Sequence, residues 1–284
     1  MWNEVLSSSY IDVVGTTEVS DVLLYIDCHQ YLGYSVRDSL AQLAQVRSHN
    51  GSIVVYNERD RPDFDMIGLY TSVTRWMKSD RFISCPYIRT MYGQKYNVPS
   101  FRSRLVCFRG TSTHRSRLRI PNALDDRIDC QLVTGSKSRM VAKHEFQQWM
   151  SNFQYSLCPR GHSPNSFRIF ESMWSGTIPV VISDSWQPSY GFDWTKIALF
   201  VKESEVSNVY DIIRNDLTEY SSRIEYLNAV MQQFSKNEYL STYYSDLICK
   251  SAMQHRLSNI DVRQSTVRNI VFRIIDSIRS RFHK

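Results

Sequence analysis

No apolar stretch in the 284 residues approaches the roughly 18 to 20 needed to span a bilayer. The opening MWNEVLSSSYIDVV lacks the charged-then-apolar order of a signal peptide, so a soluble protein is expected. A C-x-x-C pair is missing as well. The six cysteines (28, 85, 107, 130, 158 and 249) stand far apart, several inside strand-like apolar runs. That spacing indicates neither a zinc site nor a disulfide framework, and it fits reduced core thiols in an intracellular, cytoplasmic protein. No G-x-G-x-x-G follows a strand, which removes the nicotinamide fingerprint. There is neither an internal repeat nor a low-complexity tract. Acidic residues are absent from one stretch, RSRLVCFRGTSTHRSRLR at 102–119, where arginines occupy positions 102, 104, 109, 115, 117 and 119. A solvated basic loop and a phosphate-binding loop are both open readings of it.

What is present is the mix of an ordinary packed protein: 42% hydrophobic and 22% charged residues argue against disorder, collagen or a coiled coil. A net charge of +6 and a pI near 9.0 point to an anionic partner such as a nucleotide, nucleic acid or acidic glycan. The chain is long enough for two domains. The first twenty residues have no clear period and read as a loose arm. VLLYID (22–27), a helical stretch at 36–48 and SIVVYN (52–57) then imply a parallel sheet, which MIGLYTSV (66–73) and RFISCPYI (81–88) continue. QKYNVPS (94–100) reads as a linker. A second alternation follows: RLVCFRG (104–110), CQLVTG (130–135), a helix near 140–153, YSLCPRG (155–161), a helix at 165–175, TIPVVISD (177–184) and KIALFVKE (196–203). Two helices at about 205–215 and 219–235 precede an amphipathic stretch at 258–282, where Ile260, Val267, Ile270, Val271, Ile274, Ile275 and Ile278 recur largely at helical spacing. The expected fold is α/β, two Rossmann-like domains with ligands at the carboxyl ends of their strands: 1–100, 101–257, and a helix in 258–284 returning to the first domain.

Residues 156–184, SLCPRGHSPNSFRIFESMWSGTIPVVISD, carry the chemistry. On a helix begun near Asn165, Phe167, Phe170 and Trp174 make an apolar stripe, while Arg168, Glu171, Ser172 and Ser175 share another face. Gly176 suits the C-terminal end. The approach loop holds Gly161, Ser163, Asn165 and Ser166, where free N–H groups and the helix dipole favour a diphosphate. Arg160 and Arg168 can add charge-assisted bonds, and the Glu171 carboxylate can accept from two ribose hydroxyls. The plainer alternative is a capped helix with an exposed Arg168–Glu171 pair of little consequence for stability.

The run CPRGHSPNSFRIFESMWSGTIPVVISD resembles the signature of the exostosin family of glycosyltransferases: C-P-x-G, S-x-R-x-x-E, a small residue with Gly, then I-P-V-V-I-S-D. A weaker likeness extends from about Arg104 to Val201. The resemblance implies a two-domain GT-B fold with the donor site in the second half, and inverting transfer of a sugar from a nucleoside diphosphate, usually UDP, to a glycan hydroxyl. By residue-for-residue match, Ser163, Asn165, Ser166 and Arg168 fall in the diphosphate loop and Glu171 on the ribose. Arg109 stands where relatives often have a small residue, and it joins the donor set with Arg160. No metal is expected. Asp63-Phe64-Asp65 spells D-x-D, a metal–diphosphate motif elsewhere, but beside Pro62 it reads as loop chemistry. Animal and plant members that this resembles carry an amino-terminal membrane anchor, which is not expected here, and a source among the compact unanchored members of large algal DNA viruses would fit. Among the family's sugars the weak preference is for xylose.

Inversion also requires a general base, expected at the carboxyl end of the first domain's strands. Asp27 and His29 stand there directly after VLLYI, with Glu58 and Asp60 after the second strand in reserve. Histidine has the better unperturbed pKa, and Asp27 could orient it. A plainer reading makes Asp27 a loop cap and His29 a surface residue. The competing function is a non-catalytic phosphate-, glycan- or nucleic-acid-binding protein using the 102–119 arginines with Phe101 and Phe108, although no nucleic-acid motif accompanies them.

Overall fold

A computed structural model of the chain describes residues 2–6, 21–27, 51–60, 66–77, 79–92, 94, 96, 102–111, 113–124, 127, 130–134 and 143–257. The helix expected at 36–48, His29, the Asp63–Asp65 motif and the stretch 258–282 lie outside the described residues. Two parallel sheets organise the rest. The first joins β1 (Val22–Asp27), β2 (Ser52–Asn57), β3 (Gly68–Tyr70) and β4 (Phe82–Ser84) in sequential order. Val54, Val55 and Tyr56 on β2 are fully buried, as a parallel strand covered on both faces must be. Gly68 opens β3 opposite Val55. A Cβ there would lie 2.0 Å from the Val55 carbonyl oxygen, so glycine alone lets the two strands pair.

The second sheet holds β5 (Arg104–Gly110), β6 (Cys130–Thr134), β7 (Phe153–Pro159), β8 (Ile178–Ile182) and β9 (Leu199–Val201), in the order β6-β5-β7-β8-β9. Counted within this half, that is 2-1-3-4-5, a doubly wound order whose direction reverses between β5 and β7. The arginine-rich stretch is therefore no loop: it is strand β5 followed by a helix, Arg115–Leu124, that contains Pro121. The end expected as the strand KIALFVKE is a short helix, Trp194–Ile197, with only Leu199–Val201 left in the sheet.

The halves share a core. One apolar cluster runs from Val54, Tyr56 and Leu69 through Tyr87 to Phe170, Trp174, Val181, Trp186 and Trp194. Backbone bonds stitch the junction, with Arg75 N donating to Ser185 O at 2.8 Å and Tyr190 N to Ser84 O at 2.7 Å. The helix Asn237–Leu257 packs on the first half, while the stretch 258–282, in which that return was expected, lies outside the described residues. Its Ala252 carbonyl accepts from Ser52 Oγ at 3.1 Å, and its Tyr244 hydroxyl donates to Pro86 O at 3.1 Å. Nor are the first residues a loose arm. Trp2–Leu6 is a short helix whose Trp2 meets Tyr56 and Tyr244 edge-on at 4.7 and 5.4 Å.

Candidate active site

The helix Phe167–Trp174 is set by its ends. Ser166 is its N-cap, extended in backbone, with Oγ accepting from Arg168 N at 3.3 Å. At the other end Gly176, at φ 63°, donates to Met173 O and Thr177 donates to Ser172 O, both at 2.9 Å, which is a Schellman closure. Phe170 and Trp174 are buried as the apolar stripe predicts. Ser172 and Ser175 are buried too, against expectation. Their hydroxyls donate back to Arg168 O and Glu171 O at 2.6 and 2.8 Å, which satisfies them inside the core. Only the first turn, Arg168 and Glu171, keeps a polar face toward solvent.

That turn opens on a cleft of about 360 Å³ at the carboxyl ends of β5 and β7, the point where the strand order reverses. Phe108, Arg109, Ser166, Arg168 and Glu171 line one side, and Asp60 and Tyr87 enter from the first half. Arg168 Nη1 pairs with Glu171 Oε2 at 3.0 Å while Nη2 donates to Arg109 O at 3.0 Å. The guanidinium also lies over the Phe146 ring, 3.9 Å from its centroid. Two bonds and a ring thus fix one basic and one acidic group side by side.

The remaining expected residues divide. Ser163 and Asn165 reach the cleft wall, but their side chains hold the loop rather than face outward. Ser163 Oγ bonds Ser72 Oγ and accepts from Asn165 N at 3.1 Å. Asn165 Oδ1 accepts from Ser166 N at 2.7 Å, and its Nδ2 donates to Thr71 O in the first half. Arg160 turns away from the lining, donating to Ser185 Oγ at 2.9 Å with Glu203 Oε1 at 3.8 Å. Asp27 ends β1 fully buried, paired with Arg59 Nε at 2.7 Å and accepting from Asn57 Nδ2 at 2.8 Å, so it neither caps an open loop nor lies open to a substrate. Glu58 accepts from Tyr56 OH at 2.6 Å and pairs with Arg89 Nε at 3.0 Å. Asp60 is exposed, and His29 lies outside the described residues.

Arg117 was not singled out by the sequence. From the helix Arg115–Leu124 it donates to Arg160 O at 3.0 Å, Pro159 O at 3.1 Å and Thr111 O at 3.2 Å, bracing the approach loop from below. Beside it His114 caps the same helix, with Nδ1 accepting from Ser116 N at 3.3 Å and Nε2 3.9 Å from Glu203 Oε2. Burial, with Arg160, Arg115 and Arg117 nearby, pulls this imidazole down to about 4. Arg102 is likewise spent, donating to Phe153 O at 3.2 Å. The arginines of 102–119 are thus divided among strand, helix and cleft.

Residues 35–215, well over half of the chain and including both walls of this cleft, match the model of the exostosin GT47 domain. The chain belongs to the exostosin GT47 family. Over 71 residues it is 35% identical to the Exostosin-1 homolog of Caenorhabditis elegans, covering 24% of this chain and 19% of that protein. Over 217 residues it is 22% identical to Exostosin-1b of Danio rerio, covering 66% and 26%. A third relative, a probable glucuronoxylan glucuronosyltransferase of Arabidopsis thaliana, is 33% identical over 86 residues, 28% of this chain and 18% of that one. This exostosin chain therefore spans only about a fifth to a quarter of the length of these relatives. Among solved structures, an alpha1,3-fucosyltransferase aligns with 78% of the chain and 85% of its own at 12% identity, with a TM-score of 0.44. The exostosin domain as described here holds two parallel α/β halves facing one cleft, the GT-B arrangement. No helix among the described residues is long and apolar enough to cross a membrane.

Proposed function

We propose that this exostosin chain is an inverting, metal-independent glycosyltransferase that takes a UDP-sugar, with a weak preference for UDP-xylose, and glycosylates a glycan hydroxyl in the cytoplasm. The observation that carries the reading is the Arg168–Glu171 pair, held at 3.0 Å on the first turn of a helix whose N-terminus opens into the cleft. A diphosphate at that N-terminus would meet the positive end of the helix dipole and the Arg168 guanidinium. Glu171, one turn on, suits the ribose hydroxyls of the same nucleotide. As the bond to the donor sugar breaks, charge builds on the diphosphate, and fixed donors already aimed at it lower the barrier without reorganising. Arg109, also in the lining, can add to this field, so the charge is met by side chains rather than by a divalent ion. Ser163, Asn165 and Arg117 shape the loop that presents those donors.

The direct test is a panel of UDP-sugars, read by melting-temperature shift and donor hydrolysis, with and without EDTA. A shift with UDP-sugars that EDTA leaves intact supports the reading. Activity abolished by EDTA and restored by manganese overturns its metal-independent part.

A further inference from the structure

Building on the donor-site reading above, we infer that Asp60 is the general base of the transfer. Inversion brings the acceptor hydroxyl onto the sugar carbon from the side opposite the leaving diphosphate. The base must therefore stand on the wall facing the loop 159–166. Of the cleft-lining residues, Asp60 and Tyr87 come from that wall.

The turn after β2 is built to present this carboxylate. The last residue of β2, Asn57, and the first two of the turn, Glu58 and Arg59, are buried. Arg59 N donates to Asn57 Oδ1 at 2.9 Å, the Arg59 guanidinium pairs with Asp27, and Glu58 N donates to Asp27 O at 3.1 Å while its carboxylate pairs with Arg89. Two ion pairs involving buried partners are a costly way to shape a turn. Asp60 is the residue they leave exposed at its end, in the cleft. The order of burial, three fixed residues and then one free to meet solvent, is that of a group held in place to react.

Other titratable groups fit the role less well. Asp27 and Glu58 are buried in their own pairs. Glu171 is bound to Arg168 on the donor side, and His162 lies on the diphosphate loop itself. Burial pushes the Tyr87 hydroxyl up to about 12, and the nearby Asp60 charge adds to it, so Tyr87 stays protonated beside the carboxylate. In the step, the acceptor oxygen forms a bond to the sugar carbon as the carbon–oxygen bond to the diphosphate breaks. The bonding pair leaves with the diphosphate. The acceptor proton passes to an Asp60 carboxylate oxygen and then to water.

The test uses the full chain carrying Asp60→Asn, Asp60→Glu or no change. UDP affinity is measured by calorimetry, and kcat and KM are taken from UDP release with the best UDP-sugar of the panel, with and without an oligosaccharide acceptor. Loss of a general base is expected to lower kcat about 10²- to 10⁴-fold. UDP affinity and the donor KM should hold within about threefold, with Asp60→Glu recovering part of the rate. Asp60→Asn retaining transfer within about threefold of wild type, or losing UDP affinity in step with kcat, overturns the assignment. If the unmodified chain binds no UDP, the donor site falls and takes the base with it. If UDP binds normally while Asp60→Asn stays active, the base alone falls.

Discussion

At the scale of single residues, the same side-chain chemistry does different work according to what it touches. Arg168, Arg109 and Arg117 all line the cleft, but Arg117 is held by backbone carbonyls, while Arg160 is drawn away to Ser185 and Glu203. The motif C-P-x-G…S-x-R-x-x-E made Arg168 and Glu171 legible in sequence. Nothing comparable marked Arg117, because its partners are backbone carbonyls, two of them some forty residues away, and no side-chain pattern records them. His114 offers a measurable consequence. Its imidazole is pulled down to about 4 in the folded chain, against about 6.5 when unfolded, so the native state binds fewer protons in that window. Its contribution is fully present above pH 6.5 and is lost as pH falls toward 4. His114→Asn keeps an N-cap acceptor but cannot titrate. The difference in melting temperature between wild type and variant should therefore drift against wild type as pH drops from 7 to 5. A pH-independent difference would contradict the buried-neutral state of His114.

At the scale of elements, the approach loop 159–166 belongs to the second half by sequence but is fastened to the first through Asn165–Thr71 and Ser163–Ser72. Asn165→Ala strips a partner from Thr71 O and from Ser166 N together. With those groups left unsatisfied, stability should fall by about 1–3 kcal/mol in chemical denaturation, and UDP should bind more weakly as the loop loosens. An unchanged denaturation midpoint would show that the fastening contributes nothing. Strands β5, β7 and β8 were readable because buried parallel strands are continuous apolar runs. The helix Asn237–Leu257 was not, and the reason is physical. Leu240, Tyr244, Leu247 and Ile248 are buried, but so are Ser241, Ser245 and Ser251, so polar residues on the packed faces erase the period. The helix Arg115–Leu124 was hidden by its arginines and by the internal Pro121.

At the scale of the whole molecule, the two sheets meet through a common aromatic core, and the cleft lies where their strand ends converge. A two-half α/β plan was legible from the alternation of runs. The extent of the shared core was not, since Tyr87, Phe167 and Trp186 come from separate segments whose pairing no local pattern announces. Asp27, named together with His29 for the base, ends β1 paired with Arg59 in the interior, a long-range partnership invisible in the local sequence. On the proposed function, a nucleoside diphosphate binds this cleft through Arg168 and Glu171 without a divalent ion. Calorimetric titration of UDP in EDTA into the wild-type chain and into Glu171→Ala and Arg168→Ala tests it most directly. Each lost charge-assisted bond is worth roughly 1.5 to 3 kcal/mol. One UDP per chain should bind to wild type, and each variant should weaken it about ten- to a hundredfold with the fold intact. No binding to wild type, or affinity unchanged from wild type in both variants, would contradict the claim.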